Sequence, residues 1–189
     1  MKKLVLAMCI MASTSALASN EMYALGGVGI DSGDVGGQFT FGSQIMHSNW
    51  HVESTLLAIS LDDTYSYNNG NDTIEKKEKF DTLMFSVAPM YKHSFSNNFA
   101  IFGKAGLFFS HSDTKLTFNY SNQNSEVSKG SHSDIGLTYG IGAEYKSTQP
   151  VFGNSKLLTR VGFDWYEFGG SSGWYTTESV LGIQAGFTF

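Results

Sequence analysis

The chain has 189 residues with 15 Phe, 9 Tyr, 3 Trp, 21 Gly, 2 Pro and one Cys, and a formal net charge of −5. The acidic balance excludes a nucleic-acid partner, which would call for a basic face, and a single cysteine excludes a disulfide within the chain. Abundant aromatics with few prolines favour sheet.

The N-terminus reads as an export signal. Met1-Lys2-Lys3 is a basic start, Leu4 to Ala12 is a short apolar run, and Ala16-Leu17-Ala18 is a small-x-small cleavage site. Such a segment is too short to span a bilayer as a helix. The expected organisation is a signal peptide over residues 1–18 and one domain over 19–189. Cys9 would leave with the signal, and the remainder would carry 10 basic against 17 acidic residues, a net −7. Past Ala18 no apolar run reaches the ~18 residues that a membrane helix needs.

Eight stretches alternate with the period of a strand. The first, Met22–Ile30, has an ambiguous facing because glycines dilute it, and Asp31-Ser32-Gly33-Asp34 is a turn cluster. The second, Val35–Ile45, puts Val35, Phe39, Phe41 and Ile45 on one face and Gln38, Thr40, Gly42 and Gln44 on the other. The third, Trp50–Leu61, turns Glu53 inward only if Leu57, Ile59 and Leu61 go inward too, and that conflict predicts a bulge. Asp62 to Lys79 follows as a long polar stretch.

The fourth strand, Phe80–His93, has Leu83, Phe85, Val87, Pro89 and Tyr91 outside and Thr82, Ser86 and Lys92 inside; Pro89 predicts a bulge or a strand boundary. The fifth, Phe99–His111, has Lys104 inside. Ser112 to Ser133 is the longest connection, but Leu116, Phe118 and Tyr120 alternate again, which predicts a hairpin beyond the apolar belt. The sixth, Asp134–Ser147, has Glu144 inside, and Thr148 to Asn154 is a turn. The seventh, Ser155–Phe168, has Arg160, Asp164 and Tyr166 inside. The eighth, Thr176–Phe189, alternates Leu181, Ile183, Ala185, Phe187 and Phe189 with small or polar residues and ends on an aromatic.

Two regularities follow. The two longest connections come after odd strands and all those after even strands are short, as in a barrel with tight turns at one end and larger loops at the other. The outward residues near the short-turn end are mostly aromatic: Trp50, Tyr91, Phe99, Tyr145, Phe187 and Phe189. Amphipathic rings at one level suit a membrane interface.

The export signal, eight alternating strands, loop asymmetry and terminal Phe resemble the small outer-membrane barrels of the OmpX, OmpA-transmembrane and opacity-protein type, with a weaker likeness to accessory colonization factors. The resemblance implies an all-β fold, an eight-stranded antiparallel up-and-down transmembrane β-barrel in the bacterial outer membrane. It further implies a monomer surrounded by lipid and lipopolysaccharide, and an assembly signal at Phe187 and Phe189 read by the barrel-assembly machinery.

Within such a barrel five charges face the lumen: Glu53, Lys104, Glu144, Arg160 and Asp164. An eight-stranded barrel is just wide enough to be filled by side chains, so these predict a paired network that plugs the lumen, with an ion gate as the alternative. His47-Ser48, His111-Ser112 and His132-Ser133 are adjacent pairs, and adjacent strand residues point to opposite faces, so they make poor nucleophile–base pairs. Asp62, Asp63 and Asp72 lack the spacing of a calcium loop. No cofactor or metal and no enzymatic activity is expected. The large loops, with Tyr65, Tyr67, Phe118 and Tyr120, suit recognition of a host-surface ligand. The expected function is adhesion or envelope-surface interaction; the alternatives are a lipid A-modifying enzyme and a narrow ion-conducting pore.

Overall fold

The computed structural model describes residues 21–68, 73–120, 125–169 and 175–189. The predicted signal peptide over residues 1–18 and the start at Ser19 lie outside them, as does Asp72. Eight strands run in chain order: β1 Met22–Asp31, β2 Asp34–Gln44, β3 Trp50–Asn68, β4 Thr73–Ser94, β5 Phe99–Tyr120, β6 Glu126–Phe152, β7 Ser155–Gly169 and β8 Tyr175–Thr188. Each pairs antiparallel with its neighbours and β1 closes on β8, so the sheet forms a barrel. Closure removes the free edges that an open sheet would expose. Beyond the last ladder pair, Phe189 and Met22 exchange backbone hydrogen bonds of 2.9 and 3.1 Å at the seam.

Both ends of the described chain lie at one rim, the turn end, with the short connections after β2, β4 and β6. At the opposite rim β1 and β2 meet across Ser32 and Gly33, both at positive φ (49° and 101°). A two-residue hairpin needs this left-handed pair to match the strand twist, and glycine supplies it without a Cβ clash.

Four strands run much further than the alternation predicts. The stretches 62–79 and 112–133, expected as a loop and a loop-borne hairpin, are mostly strand: β3 pairs with β4 out to Asn68↔Thr73, and β5 with β6 out to Phe118↔Glu126. On its other side, among the described residues, β3 has no registered partner past Ala58, and β6 none before Gly136. The β3–β6 strands therefore rise as a four-stranded sheet beyond the barrel rim. Polar residues such as Glu75-Lys76-Lys77-Glu78 hide this, because the ladder on both sides holds β4 extended without an apolar face.

Three smaller expectations are also corrected. β3 keeps one register with both neighbours, so it has no bulge. β4 holds the same register against β5 on either side of Pro89, which interrupts the ladder without shifting it. The expected turn from Thr148 is strand as far as Phe152, with register shifts between Lys146 and Phe152 that accommodate Pro150.

Alternation decides the two faces. The outward face carries Phe39, Val87, Ile101, Leu107, Phe109, Ile135, Ile141, Val161 and Ile183, all exposed. The inward face is full. Leu57 and Ile59, two inward residues at odds with a polar lumen, are buried, and Leu57 packs with Met84, Phe108, Tyr166 and Val180 in an apolar layer toward the sheet end. A second layer toward the turn end joins Tyr23, Leu25, Met90, Phe102 and Leu158.

Candidate functional site

The charged side chains of the lumen lie between and among these layers. Arg160 on β7 is the hub. Its Nη1 donates to Glu53 Oε2 of β3, and its Nη2 and Nε donate to Glu144 Oε1 of β6 at 2.5 and 3.0 Å. Lys104 on β5 reaches Glu53 Oε1 at 2.8 Å and approaches Asp164 Oδ1 of β7 at 3.1 Å, the latter outside hydrogen-bonding geometry. Lys92 on β4 reaches Glu144 Oε2 at 2.5 Å. The result is one alternating string, Asp164–Lys104–Glu53–Arg160–Glu144–Lys92, with three acids and three bases. Burial of an isolated charge here would be costly; alternation gives every member an opposite neighbour.

Aromatic rings complete the setting. Tyr23 donates its hydroxyl to Glu53 Oε2 at 2.9 Å. The Arg160 guanidinium lies 4.7 Å from the Phe102 ring centroid and 5.1 Å from that of Tyr23, within the range of a cation–π attraction. A polar relay from Gln184 through Thr40 to Thr55, at 2.7 and 3.1 Å, fills the β8–β2–β3 side. Glycine makes the room: a Cβ on Gly140 would lie 2.0 Å from Asp164 Oδ1, and one on Gly42 would lie 2.1 Å from the Tyr23 ring.

The structure thus brings together Glu53, Lys104, Glu144, Arg160 and Asp164. Sequence reasoning misses two members of the site, Lys92 and Tyr23. Parity places Lys92 inward, but its partner Glu144 sits two strands away. The glycines of β1 obscure the facing of Tyr23. The available signal is steric: inward glycines such as Gly42 mark where a neighbouring large side chain must lie.

A closed antiparallel ring, apolar outside and packed with paired charges inside, is the architecture of a barrel that meets lipid on its outer face. The model of the outer membrane protein beta-barrel domain family matches residues 4–154, more than half of the chain. The chain belongs to this family. It is a bacterial outer-membrane protein. No curated protein matches it. Among solved structures, a major outer membrane protein of Thermus thermophilus is similar with a TM-score of 0.54 at 14% identity, over 91% of this chain and 98% of that one. Ail, the attachment invasion locus protein of Yersinia pestis, solved in complex with the heparin analogue sucrose octasulfate, gives a TM-score of 0.46 at 14% identity over 90% and 96%. Neisserial surface protein A gives 0.40 at 12% over 89% and 94%. At 14% identity the likeness to the Thermus protein is one of fold.

The other predicted residues fall at the two ends. At the turn end Trp50 and Tyr91 meet edge-on at 5.2 Å and Phe99 and Tyr145 lie tilted to each other at 5.0 Å, all exposed on the outward face, as are Phe187 and Phe189. At the sheet end Tyr65 and Tyr67 lie on β3 and Phe118 and Tyr120 on β5, so these residues, expected on loops, belong to the projecting sheet. Of the four, the side chains of Tyr67 and Tyr120 lie outside the described residues. His111-Ser112 and His132-Ser133 lie within strands, where neighbours point to opposite faces, but register makes a different pair. His111 of β5 stands opposite Ser133 of β6, with Nδ1 2.8 Å from Oγ, and its Nε2 is 3.8 Å from Asp113 Oδ1. Adjacency in sequence could not find a pair made across strands. No group of three or more His, Cys, Asp or Glu suited to a metal occurs among the described residues.

Proposed function

We propose that this protein is a surface adhesin or envelope-surface interaction protein, in which the barrel is a sealed anchor and the β3–β6 sheet is the contact element. The observation that carries this reading is the unequal length of the strands: four stop near the rim and four continue as a hydrogen-bonded sheet. Among the described residues that sheet has unpaired edges along β3 past Ala58 and along β6 before Gly136, and such edges are ready templates for another chain. In this reading the turn end faces the periplasm, the rings of Trp50, Tyr91, Phe99, Tyr145, Phe187 and Phe189 sit at its interface, the barrel is monomeric, and Phe187 and Phe189 are read by the assembly machinery. Replacing residues 61–80 and 113–132 with two-residue turns should leave a folded, heat-modifiable barrel that no longer binds cells or matrix. A shortened barrel that binds as well as the intact protein ends this proposal.

One observation favours a second reading, a lipid-modifying enzyme: the His111–Ser133 pair lies on the outward face, one row beyond the apolar pair Phe85↔Phe109. A nucleophile with its base at a lipid boundary is the arrangement an acyl hydrolase needs. The Asp113 distance of 3.8 Å is too long for a hydrogen bond that would orient the imidazole. Deacylated glycolipid in mass spectra of expressing cells, abolished by Ser133→Ala, would establish the enzyme. A pore is the weaker alternative, because the alternating string and the two apolar layers occupy the lumen.

A further inference from the structure

We infer that the lipid-facing wall of the barrel holds a seat for the acyl chain of a phospholipid of the periplasmic leaflet. The seat is a hollow in the turn-end half of the wall, where β1, β8, β7 and β6 run side by side. The hollow stands apart from the adhesin reading; its assignment to a leaflet rests on the orientation of that reading, with the turn end toward the periplasm.

Register makes the shape. One outward row crosses the wall as Phe39, Gly26, Ala185, Thr159, Tyr145 and Phe99, each residue opposite the next. Rings stand at both ends of the row, and the residues between them are small. A cavity of about 520 Å³ opens there, over Gly26, Ala185 and Thr159 and against Val28, Ile183 and Tyr145. A Cβ on Gly26 would meet nothing within 4 Å, so the space above it is open. An apolar cavity of ~150 Å³ takes a benzene, so this hollow has room for roughly twenty carbon atoms, about one long acyl chain.

The height fits one leaflet. Toward the turn end the next outward row is Leu157 opposite Phe187. Toward the sheet end the hollow stops at Phe163, whose ring packs edge-on against Trp165 with centroids 4.8 Å apart. Leu157 and Phe163 lie on the same strand, β7. At about 3.3 Å per residue and a strand tilt near 40°, they are roughly 15 Å apart along the membrane normal, half of the ~30 Å hydrocarbon core. The hollow thus begins at the level of the turn-end rings, where head groups lie, and ends near the bilayer middle.

Packing selects the occupant. Within a bilayer there is no hydrophobic gain in moving a chain from lipid onto protein, so close contact alone holds it. On a convex wall an acyl chain touches protein on one side. In the hollow it touches protein beneath it and rings on both flanks, and an empty hollow would forfeit those contacts. A second copy docked about a two-fold axis through this wall would set hollow against hollow and enlarge the void. The hollow is continuous with the lipid-facing surface, so a phospholipid enters it without leaving the bilayer.

The test uses the full barrel in nanodiscs of phosphatidylethanolamine and lipopolysaccharide, released into mild detergent, with retained lipid counted by native mass spectrometry. Wild type should leave the nanodisc with phosphatidylethanolamine bound. The variant G26L/A185L, which fills the hollow with its own side chains, should lose it. Ala58→Leu, which adds bulk to the exposed outward face of β3 away from the hollow, should retain it. Heat-modifiable migration verifies that each variant is folded. Equal retention by wild type and the double variant overturns the inference. So does retention of lipopolysaccharide in place of the phospholipid, or a lipid-free wild-type dimer that the double variant converts to monomer, which would make a second copy the occupant. Labelling of Lys129→Cys on intact cells by a membrane-impermeant maleimide reads the orientation separately. Labelling keeps the hollow in the periplasmic leaflet; a protected cysteine would move it to the other leaflet and end the assignment to phospholipid.

Discussion

The lumen and the projecting sheet are made from the same strands and are held by different forces. In the lumen the charges of the string are buried and answered: Glu53 and Arg160 are 2% and 4% exposed and share their partners along one string. On the sheet the charges are mostly exposed and paired loosely with neighbours two residues along the same strand, as Lys77 is with Glu75. The same residue types therefore do different work. Inside, an ion pair sets the packing of the lumen; outside, it leaves the ladder to hold the shape and keeps side chains available.

Substitutions can break that comparison, and the largest effect belongs to the hub. Arg160→Ala strips a partner from both Glu53 and Glu144 and should cost about 3–5 kcal/mol, measured by urea unfolding of the barrel in detergent or vesicles; a change near zero would mean that water reaches the string. Leu57→Ala, in the apolar layer toward the sheet end, should open a cavity costing about 3 kcal/mol, read from the same urea curves. Gly140→Ala forces its Cβ against Asp164 and should cost about 2 kcal/mol; a stability equal to wild type would show that the Lys104–Asp164 contact relaxes freely. Lys77→Ala, on the sheet, should change unfolding by less than about 1 kcal/mol in detergent, since exposed pairs contribute little. A loss as large as that at Arg160 would erase the distinction between the two regions.

The barrel is legible in the sequence because lipid imposes a strict rule. Residues such as Ile135, Leu137, Tyr139 and Ile141 alternate with Gly136, Thr138, Gly140 and Gly142 wherever the strand meets the membrane, and parity alone places Arg160 and Asp164 inward. The rule lapses past the rim. Thr73 to Lys79 shows no apolar face, and its extended form comes from ladders with β3 and β5 that pairing determines and local sequence does not. Leu57 is legible as a contradiction and becomes intelligible only with Met84, Phe108 and Tyr166 beside it. The lumen string is half legible: the sign and facing of its members are in the sequence, but the contact of Lys92 with Glu144 depends on barrel curvature that brings β4 and β6 together. The cross-strand pair of His111 with Ser133 depends on register in the same way.

The continuity of β5 and β6 through the rim has a mechanical consequence. β6 alone runs 27 residues, from Glu126 to Phe152, or about 90 Å at ~3.3 Å per residue. A pull on its far end travels along the strand axis into the barrel wall, so the hydrogen bonds that tie β5 to β4 and β6 to β7 are strained together in shear rather than peeled apart singly. A slack loop of equal length would first straighten and would pass no tension until it had. A contact made at the tip of this sheet is therefore coupled to the membrane without lag, as a stiff spar transmits a tug that a rope of the same length would absorb.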